Sequence, residues 1–400
     1  MNNQKPWILV ITELYPNLNI LFLGAFVQNQ LKALEKYYNI AVIVPVSFKT
    51  KIEKSVVKDG DISIHYLKCH LSTFLLNAEK FVFNRRYDEK SRKKSFLRME
   101  IVSKAKKLHS RYHFSLVHGH EVYIGDEAAV VGRTLNIPSL VTIHNLYEYH
   151  VSCFGPDAMK QVVNNLNLAD KLIAVSKMTA CSYKEQGIEK EIQVIPNGIG
   201  NSKIKPIPEQ WKRITENKTV ILAVGFFAHI KRIEQVLYAA IELKKRQGNS
   251  FVILILGAGS LENFYRDIIR NARLEDQIYI VGQIPPPEIM AYFTASDFLV
   301  HPCVLESFSM VCLEAMAAGK PFICTKNIGI TEYITNGKEA FIIPADNLAS
   351  LTEKMDILLQ NRKLRERMGQ AAQETSLKFG WNDLAPEILR VYDRLINNHG

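Results

Sequence analysis

No apolar run in these 400 residues approaches the length of a membrane span. The run nearest the N-terminus, WILVIT at 7–12, is also too short for the hydrophobic region of a secretory signal and reads as a first strand. Cysteine is scarce: the six (Cys69, Cys153, Cys181, Cys303, Cys312, Cys324) show no CxxC and no Cys/His pairing. That excludes a disulfide scaffold or zinc module and fits reduced thiols in a cytoplasmic protein. No nucleic-acid-binding module accompanies the positive charge, so nucleic acid is not an expected partner.

What the chain has is length, apolar content and localised charge. Four hundred residues with 47% hydrophobic and 22% charged side chains describe a globular protein of two domains. The net charge of +10 has an address: Lys80–Lys107 holds eleven basic and three acidic residues. That excess of eight equals the excess of the whole first half, with 26 basic and 18 acidic residues over 1–200.

Short β-rich runs alternate with amphipathic helical stretches, the pattern of parallel sheets covered by helices. Strands are expected at WILVIT, IAVIVPV, SLVHGH, SLVTIH, KLIAVS and IQVIP. In the second half they are expected at TVILAVG, FVILILG, QIYIVG, DFLVHP, PFICT and AFIIP. A helix over 230–247 places Ile230, Ile233, Val236, Leu237, Ala240 and Ile241 on one face. The polar, proline-containing stretch 199–217 reads as a linker. It separates a first domain, 1–198, from a second, 218–379; a last helical segment, 380–400, has a docking partner that periodicity leaves open.

In open α/β sheets ligands bind beyond the carboxyl ends of the strands. After DFLVHP comes ESFSMVCLEAMAAG, 306–319, with glutamates eight positions apart. Ser307 or Ser309 can cap a helix that runs to about Ala318, with Gly319 and Pro321 ending it. The free amides near Ser309, Met310 and Val311 form an anion site suited to a phosphate. Glu314, among small residues, can accept both hydroxyls of a ribose, and Glu306 can accept from a second sugar.

ESFSMVCLEAMAAGKP resembles the E-x7-E element of the retaining glycosyltransferases of family 4, which share the two-domain GT-B fold. VILILGAGS, IYIVGQIPPPEIMAYFTASDFLVHP and NIGITEYITNGKEAFIIPADN are similar to neighbouring family segments, closely over 219–380 and more loosely before. The resemblance implies two Rossmann-like doubly wound domains facing across a cleft. It places Glu306 by the donor sugar, Glu314 on the ribose and the Ser309–Val311 backbone around the diphosphate. In VGFFAHIKR, Gly225 and Lys231 match the family's diphosphate-binding Gly and Lys, while Phe226 stands where an arginine is usual. The loss of that arginine calls for a substitute such as Arg232, or for weaker donor binding. Gly24 matches a glycine that lets a phosphate approach, and His144 a histidine beside the donor sugar. His120 could face the acceptor, and His118 reads as an internal histidine.

Two patterns point elsewhere and are set aside. Asp59-Gly60-Asp61 has the D-x-D form of a metal site but reads as a turn opening a strand. GAGSLE begins a dinucleotide fingerprint whose third glycine is replaced by Glu262. No metal and no cofactor are expected. The segment 80–107 interleaves Phe81, Phe83, Phe96, Leu97, Ile101 and Val102 with its cations. It is either a solvated helix face or a contact for anionic lipid headgroups or a phosphate-bearing acceptor.

The resemblance therefore implies a cytoplasmic, metal-independent retaining hexosyltransferase, either free or peripheral on the inner face of the membrane. It would use a UDP- or GDP-sugar and a glycan or lipid-linked acceptor in polysaccharide or cell-envelope biosynthesis. The alternatives are a nucleotide-sugar-binding protein with weakened transfer, or an epimerase or phosphorylase on the same fold.

Overall fold

The computed structural model describes residues 5–16, 24–47, 50–69, 87–200 and 206–399, with the backbone alone over 87–93. The chain divides into two compact units, 1–198 with 381–400, and 199–380.

The first unit holds strands β1 Trp7–Thr12, β2 Asn39–Ser47, β3 Val56–Asp59, β4 Ile62–Cys69, β5 Phe114–His120, β6 Ser139–Ile143, β7 Lys171–Ala174 and β8 Ile192–Val194. They lie in the order β3-β4-β2-β1-β5-β6-β7-β8, parallel except for β3 against β4. β1 is flanked by β2 and β5, so the winding reverses there and a crevice opens at its carboxyl end. Its strands are apolar on both faces, as a sheet sandwiched by helices requires; Ile8 and Val10 enter one core, Leu9 and Ile11 the other.

The second unit holds β9 Thr219–Val224, β10 Phe251–Leu256, β11 Ile278–Gly282, β12 Phe298–His301, β13 Phe322–Thr325 and β14 Ala340–Ile343. All are parallel, in the order β11-β10-β9-β12-β13-β14, with the reversal between β9 and β12. The two loops that leave this switch point are 225–232 and 302–309.

Local chemistry moves several expected boundaries. The helix expected over 230–247 starts at Ile233, because Arg232 takes a left-handed conformation (φ 52°) after a 3-10 turn at His229–Lys231. Ile230 is consequently outside the buried face and exposed. The stretch 199–217 contains a helix at Glu209–Thr215 and clusters with the second unit; residues 201–205 of it lie outside the described residues. The helix Trp381–Asn397 packs in the first unit, where Tyr392 donates to or accepts from His118 at 2.7 Å and Tyr38 donates to Asp393 at 2.6 Å. Asp59 is occupied by Tyr15, Gln28 and Lys32, at 2.7, 2.7 and 2.9 Å, as a turn residue rather than a member of a carboxylate cluster. The glycines of GAGSLE serve close packing: a Cβ on Gly257 would collide with the Gly225 carbonyl, and one on Gly259 would lie 2.6 Å from the Phe227 carbonyl.

The basic segment is not a simple surface stripe. Residues 80–86, with Phe81 and Phe83, lie outside the described residues. In the helix Tyr87–Tyr112, Leu97, Ile101, Ala105 and Leu108 face the core, and Lys94 goes in with them. Its ammonium sits 2.7 and 2.8 Å from the two Asp126 oxygens, and Arg98 donates to Glu127 at 2.7 Å. Two of the expected surface cations are thus internal counter-ions. Phe96, Met99, Lys106 and Lys107 remain on the exposed face.

Candidate active site

The loop after β12 is fastened by backbone before any side chain is considered. Glu306 donates its N–H to Asn327 and accepts from Gly329 at 3.0 Å, and Val304 donates to Ile230 in the loop after β9. This holds the Glu306 carboxylate against two cations. Lys231 Nζ donates to Oε1 at 3.0 Å, and His301 Nε2 lies 2.5 Å from Oε2. Burial alone would make the carboxyl retain a proton; the charges of Lys231 and His301 outweigh it and hold Glu306 far below the usual carboxylate range. Burial would likewise depress His301, but Glu306 lifts it to about 9, and the same carboxylate raises Lys231. At neutral pH the group is one anion between two cations, with net positive charge at the switch point.

A Cβ on Gly225 would make only ordinary contact with the Lys231 stem, 3.5 Å from its Cδ; what the Gly225 backbone demands is a glycine opposite it, at Gly257. Phe226 is half exposed beside Gly225. Arg232 is committed elsewhere, donating to Asp346 at 2.6 Å and to the His229 carbonyl, so it does not replace the missing arginine.

Of the two capping serines, Ser309 is the N-cap of the helix Met310–Ala317, accepting from Cys312 N–H at 3.4 Å. It does so at φ 87° and ψ 88°, a conformation that costs a non-glycine residue about 1–3 kcal/mol. Helix geometry leaves the Met310 and Val311 amides without an i−4 acceptor, so a positive helix end stands beside Lys231 and Glu306. Glu314, one turn on, is half-buried, and loss of water pushes its carboxyl above the ordinary range.

A ring nitrogen of His301, Cys303 Sγ and a Glu306 oxygen lie within 4.8 Å of one another, a set of atoms able to ligate a metal ion. Lys231 already holds the same carboxylate and would repel a dication.

In the first unit, Gly24 caps the helix Ala25–Leu34 at φ 78°, and a Cβ there would collide with the Leu14 backbone. That steric demand by itself requires glycine. His144 is 4% exposed and shares a hydrogen bond of 3.0 Å with His120; burial lowers it to about 4, so its ring is neutral. His120 is fully buried, and His118 is satisfied on both nitrogens by Tyr392 and Thr142.

Three residues absent from the sequence-based set belong to these strand ends. His301 is the last residue of β12 and the partner of Glu306. Glu13 follows β1, and burial, reinforced by Glu121, pushes it up to about 8. Glu121 follows β5 at φ 68°, accepting from Asn145 at 2.5 Å and lying 2.9 Å from His150 Nε2. A polar residue immediately after the strand was the available signal for Glu13 and Glu121, and a histidine closing an otherwise apolar strand was the signal for His301.

Residues 207–375 match the model of "Glycosyl transferases group 1", and residues 75–202 that of "Glycosyltransferase Family 4". A D-inositol 3-phosphate glycosyltransferase of Pseudarthrobacter chlorophenolicus is 25% identical over 73% of this chain and 73% of its own. Among solved structures, sucrose-phosphate synthase from Thermosynechococcus elongatus superposes with a TM-score of 0.76 at 19% identity, covering 99% of this chain and 100% of that one. Anabaena HepE in complex with UDP-glucose does so with a TM-score of 0.70 at 17% identity, over 97% and 100%. Two matched spans, the curated relative and the shared GT-B architecture agree: the chain belongs to glycosyltransferase family 4 and is a glycosyltransferase.

Proposed function

We propose that the protein transfers a hexose, with retention of configuration, from a nucleoside-diphosphate sugar to a hydroxyl of a glycan or lipid-linked acceptor in polysaccharide or cell-envelope biosynthesis. The observation that carries this reading is the Glu306 carboxylate fixed between Lys231 and His301 beside the helix end at Ser309. In this reading the diphosphate lies on the Met310 and Val311 amides and on Lys231. As the bond from the anomeric carbon to the diphosphate lengthens, negative charge grows on the leaving phosphate, and these donors are already aimed at it. Glu306 holds the sugar hydroxyls, Glu314 accepts from the ribose, and His144, neutral, offers a hydrogen bond to the sugar. The leaving phosphate takes the acceptor proton on the same face.

Lys231 supplies the fixed cation, so the reaction needs no metal, and chelation with EDTA should leave the rate unchanged. The complex of HepE with UDP-glucose supports a nucleotide-sugar donor, and the D-inositol 3-phosphate relative supports an acceptor hydroxyl on a phosphorylated or polar alcohol. Phe96, Met99, Lys106 and Lys107 on one exposed helix face support a lipid-linked acceptor reached at an anionic membrane surface. Among the described residues no helix is long and apolar enough to cross a membrane.

Phe226 and the engaged Arg232 favour a second reading, a nucleotide-sugar-binding protein with little transfer. One experiment separates the two. UDP- and GDP-sugars are titrated calorimetrically while nucleoside diphosphate release is followed with acceptor mixtures. Transfer requires one donor to bind, Glu314→Ala to weaken it about tenfold or more, and Glu306→Ala to reduce turnover about a hundredfold. Binding with no release in any mixture supports the second reading, and no binding of any nucleotide sugar overturns both.

A further inference from the structure

The opposite edge of the second unit's sheet carries a cavity of about 590 Å³, at the amino ends of β9, β10, β12 and β13. Lys218, Lys320, Arg362 and Arg365 line it against two acids, Asp297 and Glu366. The acids do not neutralise the site. Glu366 pairs with Arg362 at 2.8 Å on the exposed rim, where such a pair contributes little. Asp297 gives one oxygen to the Val220 amide at 2.8 Å. Among the described residues neither Lys218 nor Lys320 forms a salt bridge.

Arg365 is the built part. It is 8% exposed, and Nη1 is anchored to the carbonyls of Leu358 and Leu359 at 2.5 and 3.0 Å. That anchoring fixes the guanidinium at the cavity wall. Its Nε forms an ion pair with an Asp297 oxygen at 3.3 Å, in a geometry that falls short of a hydrogen bond. The first turn of the 15-residue helix Arg362–Ser376 also borders the cavity and brings its positive end. Burial holds the half-buried Lys320 ammonium below its usual range, a cost that a bound anion would remove.

We propose that this cavity is a second anion site, distinct from the donor site, that takes the phosphate of a small phosphorylated metabolite. An excess of two positive charges matches a phosphomonoester dianion, and the volume exceeds that of phosphate alone, leaving room for a small polyol or sugar. Lys320 also donates its N–H to Ala315, in the helix whose other end is Ser309. The two sites are thus joined by one helix.

Inorganic phosphate and glycerol 3-phosphate are titrated into the full chain at constant ionic strength, followed by calorimetry. The same titrations are run on Lys218→Met/Lys320→Met and on Lys231→Met. Both cations removed in the double variant are half-buried at the cavity and form no salt bridge among the described residues, and its melting temperature without ligand reports whether it is folded. Binding should weaken about tenfold or more in the double variant and persist in Lys231→Met. Tighter binding of glycerol 3-phosphate identifies an organic phosphate as the occupant, and equal binding identifies free phosphate. Unchanged affinity in the double variant, loss confined to Lys231→Met, or no binding of either probe to the parent protein overturns the proposal.

Discussion

Burial drives a carboxyl to keep its proton, and Glu306 is ionised only because Lys231 and His301 reach it. The pair has a pH signature with a definite sign. His301 is lifted to about 9 in the folded chain, above its ordinary value of 6.5. A raised folded value means that the stabilisation is complete below about pH 6.5 and is lost as pH rises through about 9. His301→Gln should therefore melt well below the parent protein at pH 6, and the gap should close by pH 9.5. Thermal melts of both proteins across that range test it; a gap that is constant, or that widens with pH, would show that the imidazole is not charged by Glu306. Because the same histidine positions the carboxylate rather than touching substrate, its loss should lower turnover more than donor affinity.

At the level of elements, the helix Tyr87–Tyr112 separates two kinds of positive charge that look alike in sequence. Lys94→Ala would leave Asp126 buried without its cation, which costs about 3–5 kcal/mol. Lys106→Ala with Lys107→Ala removes exposed charge and should cost less than about 0.5 kcal/mol. Urea midpoints should order the variants in this way. The exposed pair alone should weaken binding to phosphatidylserine vesicles, with an effect that fades in high salt. Equal midpoints for the two variants would contradict the buried pair. Lys94 shares the spacing of Leu97, Ile101, Ala105 and Leu108, so its inward position was legible; counting charge along the segment hid it. All twelve strands expected from apolar runs are present, because a parallel sheet buried on both faces writes continuous hydrophobic segments. The β3 hairpin strand was missed: VVKD is short, half-exposed and on the sheet edge. Glu306 and Ser309 could be picked out because they follow a strand, and Lys231 through the resemblance of its segment to the family motif; the structure brings Lys231 to Glu306. His301 was passed over as the end of a strand. That Glu306 pairs with it depends on the loop 302–305 folding back, which no local pattern encodes.

Across the whole molecule, each unit has its own core and its own switch point, and the proposed diphosphate and ribose contacts all come from the second. A ligand stabilises only the openings that destroy its site, so donor binding should leave a local imprint in amide exchange. Segments 224–232 and 301–316 contain Lys231, Glu306 and the helix beginning at Met310. With UDP at a hundred times its dissociation constant, exchange through openings that release the ligand should slow by about a hundredfold there. The edge strands β11 and β14 are separated from the switch point by other strands, and their local exchange should change far less. Protection in both loops would join the residues of 225–232 to those of 301–316 in one nucleotide site. Protection of 301–316 alone would leave the helix end as the phosphate contact and remove Lys231 from it. Protection of neither, under conditions where UDP binds, would place the nucleotide elsewhere and overturn the assignment of Glu314 as well.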